Sequence, residues 1–241
     1  MRSLWRTVRA ELDTALFRSI ALVCLADGVV GASFGAIAVS GGLPIWLPML
    51  LSVLVFAGAA QFTFVGIVIA SGNPMAAAAA GLLVNARHLP FGFAVSDAVG
   101  AGTARRLIGS HLMIDEAVAF TVAQRGFGKR QAAYWSCGAL LFVCWNAGVV
   151  LGAYGGTMIS DTDVLGLDAA FPAVLLALLL PSLSDRRVGL AALAGAAIAL
   201  LASPFLPAGV PVLLALVGVL VALPVDGADT QRAEDGREVG S

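Results

Sequence analysis

The sequence predicts an all-α integral membrane protein, a polytopic helical bundle with about seven apolar segments, at least one of them broken or re-entrant. Three observations carry that expectation. Hydrophobic residues make up 59% of the 241 residues and charged residues 12%, about half the charged share of a soluble domain. Several apolar stretches approach the roughly 20 residues that cross a hydrocarbon core. Asp27, Gln61, Asn85, Arg87 and His88 nevertheless fall inside such stretches, among glycine, serine and proline, as in segments that line a cavity rather than face lipid.

Residues 1–18, with Arg2, Arg6, Arg9, Glu11 and Asp13, read as a cytoplasmic or interfacial lead-in. No small-x-small cleavage site follows a compact apolar core there, so a removed signal is not expected. Residues 19–224 form the transmembrane domain, with apolar segments at 19–39, 45–70, 74–97, 132–154, 166–183, 188–203 and 209–224. Gly41-Gly42-Leu43-Pro44, Gly72-Asn73-Pro74, Asp161 and Asp163, Asp185-Arg186-Arg187, and Pro204 with Pro207 supply the turn chemistry between them. Trp46 and Tyr134-Trp135 open segments, where aromatics anchor at headgroups, and Trp145 is mid-segment and reads as packing or lining. Residues 225–241 are polar and mixed in charge, a composition that stays disordered.

Charge placement sets a topological conflict. Arginines at the N-terminus favour the cytoplasm, and so do the basic residues of the connection from about 100 to 131. Three apolar segments lie between them, so three crossings would separate the two. The first segment, rich in Gly and Ser and holding Asp27, is the prime candidate for a break. The other is the stretch at 111–123, which would dip into the membrane. Gly31 and Gly35 form one GxxxG and Gly152 and Gly156 another, read as close helix packing.

The phrase GLLVNARHLPFG at 81–92 concentrates the polar groups. At helical periodicity Gly81, Asn85, His88 and Gly92 share one face, Arg87 points elsewhere, and Pro90 removes a hydrogen bond to Ala86. A central arginine costs about 2.5–3.5 kcal/mol unless paired, and Asp27, Asp168, Asp97, Asp115 and Glu116 are its candidate partners. A second reading ends the span near Ala86 and lets Arg87 and His88 snorkel to the interface. Each remaining polar residue also has a structural reading. Gln61 would make an interhelical hydrogen bond, Asp27 would cap a helix at a break, and Asp115 with Glu116 would form a solvated pair. His111 and the basic cluster at 125–130 read as cytoplasmic surface. Cys24, Cys137 and Cys144 read as small buried residues. HExxH, Walker A and CxxC motifs are missing from the sequence, and GASFG at 31–35 is a lone GxSxG match inside an apolar segment, so neither an enzyme nor a metal or cofactor is expected.

Certain phrases occur in an order that resembles the AzlC family, the large subunit of bacterial branched-chain amino acid exporters. SFGAIA at 33–38, LLSVLVFAGAAQF at 50–62, NARH at 85–88 followed by Phe91-Gly92, DEAVAF at 115–120 and GLDAAFPAVLLALLLP at 166–181 carry the resemblance. Asp27-Gly28, Ile114 and Ala169 depart from the pattern. The resemblance implies export of leucine, isoleucine and valine, with methionine a further candidate, across the bacterial inner membrane. It also implies a small AzlD-like membrane partner. On that expectation Arg87, with Asn85 and free N–H groups near Pro90, takes the substrate carboxylate. Asp27, Asp168 or the Asp115-Glu116 pair, with Gln61, takes the ammonium, and His88 handles a coupling proton. An uncoupled facilitator for small polar solutes, or a structural subunit whose partner forms the path, are the alternative functions.

Overall fold

The computed structural model describes residues 8, 10–158, 176, 180, 182–206 and 210–222. The expectations placed on Asp168, on most of the 166–183 segment and on the 225–241 tail lie outside the described residues. Among the described residues the secondary structure is entirely helical. The chain forms two compact units, Met1–Leu178 and Leu179–Ser241.

Two long helices frame the first unit. Helix α1, Thr14–Ser40, starts where Asp13 Oδ1 accepts a hydrogen bond from the Leu16 amide at 2.7 Å. Helix α8 is Phe127–Thr157. Both are apolar and long enough to cross a membrane. They run parallel: Glu11 lies at Gly128, Cys24 Sγ lies 3.8 Å from the Cys137 carbonyl, Gly28 packs on Cys144, and Ala36 packs on Gly156. The two GxxxG motifs are this seam. A Cβ on Gly35 would strike the Val149 carbonyl, and one on Gly152 would strike the Ala32 carbonyl. Backbones this close need the missing side chains.

Between the frame helices the chain makes three interrupted helices. The first is α2, Trp46–Leu54, and α3, Gly58–Ile69. Gln61 Nε2 donates to the Leu51 carbonyl at 2.8 Å. In a continuous helix those residues would stand about 15 Å apart, so α3 folds back beside α2 as a hairpin. Its open end, through Ile69, reaches Gly41 at the C-terminal end of α1. The second is α4, Pro74–Asn85, and α5, His88–Val99. Asn73 caps α4, accepting from the Met75 amide, with Pro74 at the first helical position. Pro90 has no N–H, and the Ala86 carbonyl instead accepts from Leu89 at 3.0 Å in a tightened turn. Helix α5 then continues to the N-terminal end of α8, where Trp135 Nε1 donates to the Ala98 carbonyl at 3.3 Å.

The third interrupted element is α6, Thr103–His111, and α7, Asp115–Val122. Tyr134 Oη donates to the Gly109 carbonyl at 2.7 Å, Gly138 packs on the Leu112 carbonyl, and Arg130 Nη1 donates to the Thr121 carbonyl at 3.3 Å. The chain therefore climbs along α8 and returns, making a second hairpin open toward the opposite end. The two apices meet at Phe142, fifteen residues from each end of α8. The Phe142 ring lies 5.0 Å from Phe56 and 5.7 Å from His111, centroid to centroid.

This corrects the first-segment expectation. That segment is one unbroken helix, because its glycines serve the α8 seam, and Asp27 sits mid-helix rather than capping a break. The interruptions fall at 55–57, 86–87 and 112–114 instead. Nor is Arg130 plain surface. Its guanidinium binds both Asp97 carboxylate oxygens, at 2.8 and 2.9 Å, and the Ala94 carbonyl, tying α5, α7 and α8 together.

In the second unit Ser182–Ser184 form a 3₁₀ turn before α9, Arg186–Ala202, capped by Asp185 through the amides of Arg187 and Val188. Helix α10, Val210–Leu214, runs into a 3₁₀ stretch, Ala215–Ala222, whose Gly218 packs on Gly195.

Two stability measurements check this packing. Gly152→Val should lower the thermal unfolding midpoint of the purified chain, overpacking costing about 1–3 kcal/mol. Arg130→Lys keeps the charge but loses the fork that reaches three helices. It should lower the midpoint by a smaller margin, since the Asp97 side chain is 45% exposed.

Candidate functional site

Two cavities flank the level where the interrupted helices break. The first is lined by Asp27 and Val30 of α1, Gly58, Ala59 and Phe62 of α3, Arg87, Ile114, Asp115 and Glu116 at the start of α7, and Trp145. Helical geometry supplies two N-termini here. The N-cap positions of α3 and α7, Ala57 and Ile114, are extended and give no side-chain cap, so the first-turn amides of both helices lack one. Each such end carries roughly half a positive charge.

Side-chain charge is of both signs. Arg87 Nη1 lies 3.0 Å from Asp115 Oδ2, each side chain about a third exposed at 35% and 39%. Asp27 and Glu116 line the same cavity, so three carboxyl groups face one guanidinium. Asp27 Oδ2, Arg87 Nε, Asp115 Oδ1, Glu116 Oε2 and Trp145 Nε1 are buried with no protein partner among the described residues. Buried polar atoms in native proteins are nearly all hydrogen-bonded, and these five unpartnered ones all belong to residues lining this one cavity. Among the described residues no group of three or more His, Cys, Asp or Glu is arranged to hold a metal ion.

The second cavity is lined by Val55, Phe56, Ala57, Asn85, His88, Ser110, His111 and Met113. His88 Nδ1 lies 3.0 Å from the Asn85 carbonyl oxygen, and its ring meets Phe91 edge to face at 5.9 Å. Phe56, 1% exposed, holds φ at 37°, a left-handed value rare for a bulky residue. Its ring lies 6.2 Å from that of His111.

The structure thus gathers Arg87, Asp27, Asp115 and Glu116 in one cavity and puts Asn85 and His88 in the other. Gln61, 1% exposed, braces the first hairpin through Leu51. The face predicted for Gly81, Asn85, His88 and Gly92 does look into the bundle, with Gly81 on the Ala60 carbonyl and Gly92 on Met113. Sequence reasoning missed Phe56. His111, read as surface, is indeed exposed, and its ring also meets Phe56 and Phe142 at the hairpin junction. The backbone amides of α3 and α7 were missed too, because nothing in AGAAQF announces a helix start.

Residues 22–159 match the family model described as AzlC protein. A curated relative, "Branched-chain amino acid transport protein AzlC" of Bacillus subtilis (strain 168), is 26% identical over 209 residues, covering 83% of this chain and 81% of that protein. No solved structure matches. The matched region runs from within α1 to the end of α8 and contains all three interrupted helices, and the chain belongs to the AzlC family.

Proposed function

We propose that the chain exports branched-chain amino acids, namely leucine, isoleucine and valine with methionine a further substrate, across the bacterial cell membrane by secondary transport. A small AzlD-like membrane subunit works with it. The family and the name of the Bacillus subtilis relative support the substrate class. The observation that carries the reading is the first cavity, where fixed positive and negative groups face each other, as a zwitterion requires.

In this reading the substrate carboxylate meets Arg87 and the uncapped first turn of α3 at Gly58 and Ala59. Its ammonium meets Asp27 and Glu116, while Asp115 orients Arg87. Val30, Phe62 and Ile114 receive the branched side chain. The two hairpins are re-entrant from opposite membrane faces, and parting one at a time exposes the cavity to one side at a time. Coupling belongs to the second cavity, where Asn85 and His88 lie. Membrane residence fits the outer faces of the long helices: Leu22 and Leu25 are 59% and 62% exposed on α1, and Val143 and Leu151 are 62% and 72% exposed on α8, an arrangement stable against lipid.

Efflux of leucine from exporter-deficient bacteria loaded with leucine dipeptides tests the assignment. Arg87→Ala should abolish efflux while membrane insertion persists, and normal efflux in that variant would sink the role given to Arg87. Asp27→Asn should reduce efflux at limiting leucine roughly ten- to a hundredfold, the equivalent of one lost charged hydrogen bond.

A further inference from the structure

Trp145 lines the first cavity and takes no part in the transport reading above. It sits near the middle of α8, 4% exposed, and is the largest side chain on a space of ≈ 90 Å³, about three waters' share of liquid volume. Three neighbours hold it. Phe34, 0% exposed, stacks behind the indole with ring centroids 6.3 Å apart and planes at 26°. The same Phe34 meets Phe62, the other ring on the cavity, edge to face at 5.3 Å. Gly58, at the start of α3, lies against the six-membered ring, where a Cβ would come 2.9 Å from Cη2. Gly31 of α1 lies against the Trp145 main-chain carbonyl, where a Cβ would come within 2.8 Å of the oxygen. A side chain packed on this many sides is a fixed wall rather than one that yields.

Packing alone does not account for a tryptophan here. Its Nε1 is buried with no protein partner among the described residues, whereas buried indole N–H groups usually find one. A phenylalanine would keep a ring on Phe34 and leave no donor unpaired. What the indole adds is breadth, directed at Gly58 and the cavity. We infer that Trp145 is the specificity-determining residue of this site. Its indole sets the upper size limit on the substrate side chain, admitting an aliphatic branch and rejecting an aromatic ring. The inference rests on the amino acid reading above and bounds its substrate class. A fixed wall discriminates by clashing with the larger ligand, and a single methylene in a closed apolar pocket changes discrimination roughly ten- to two-hundredfold.

The purified full-length chain is titrated with leucine and, separately, with phenylalanine, following the thermal unfolding midpoint. A ligand that binds only the folded state raises that midpoint in a saturable way. The readout is the ratio of the two apparent affinities on the same protein, which a loss of stability does not by itself move. Wild type should favour leucine by about tenfold or more, and Trp145→Leu should gain phenylalanine and shift the ratio toward it by about as much. Should Trp145→Leu not fold, Trp145→Phe, which keeps a ring on Phe34, decides by a smaller shift in the same direction. An unchanged ratio in the variant that folds would overturn the inference. So would loss of leucine binding with no gain of phenylalanine, the mark of a packing role, and so would a wild type that answers both amino acids equally. A wild type that neither amino acid moves would instead overturn the proposed substrate class, and this inference with it.

Discussion

Close approach of two parallel backbones governs this molecule. Helices α1 and α8 are separated in sequence by the whole set of interrupted helices, yet Gly28, Gly35, Gly148 and Gly152 press one backbone onto the other's carbonyls. The seam fixes the register in which Asp27 of α1 and Trp145 of α8 look into the same cavity. It also sets the height of Phe142, against which both hairpin apices rest. Without the seam the half-helices would have no common wall.

Interrupting a helix exposes backbone polar groups that an apolar medium does not satisfy. Here the interruptions open on two cavities. The starts of α3 and α7 open on the space holding Arg87 and three carboxyl groups. The turn between α4 and α5, at Asn85 and His88, opens on the other, with the ends of α2 and α6. Adjacent residues divide between the two: Ala57 from Gly58, Met113 from Ile114.

What was legible in the sequence follows from local rules. Helical periodicity separated Asn85 and His88 from Arg87, because the turn at Pro90 tightens without changing which face each residue occupies. Pairing of Arg87 with a carboxylate was foreseeable from the cost of an isolated charge, although Asp115 was one of several candidates. The hairpins were not legible as such. Residues 45–70 read as one apolar run, and the reversal at Phe56-Ala57 contains neither Gly nor Pro. It is imposed by tertiary contacts, the Phe56 ring against Phe142 and Gln61 against Leu51. Conversely, Gly and Ser in the first segment suggested a break where they serve close packing. Composition cannot distinguish a glycine that loosens a helix from one that admits a neighbour.

The short lengths of the half-helices have a consequence for biogenesis. From α2 to α7 none exceeds 12 residues, well under the roughly 20 apolar residues of a span. Among the described residues, α1 is the first helix long enough to lodge as a span by itself as the chain leaves the ribosome, and α8 the next. The hairpins between them gain their wall only once α8 has been made and docked. Their final placement is therefore a late event of long-range closure, slow by the logic that penalises distant contacts. In that interval the three breaks lack the packed wall that encloses them in the finished bundle.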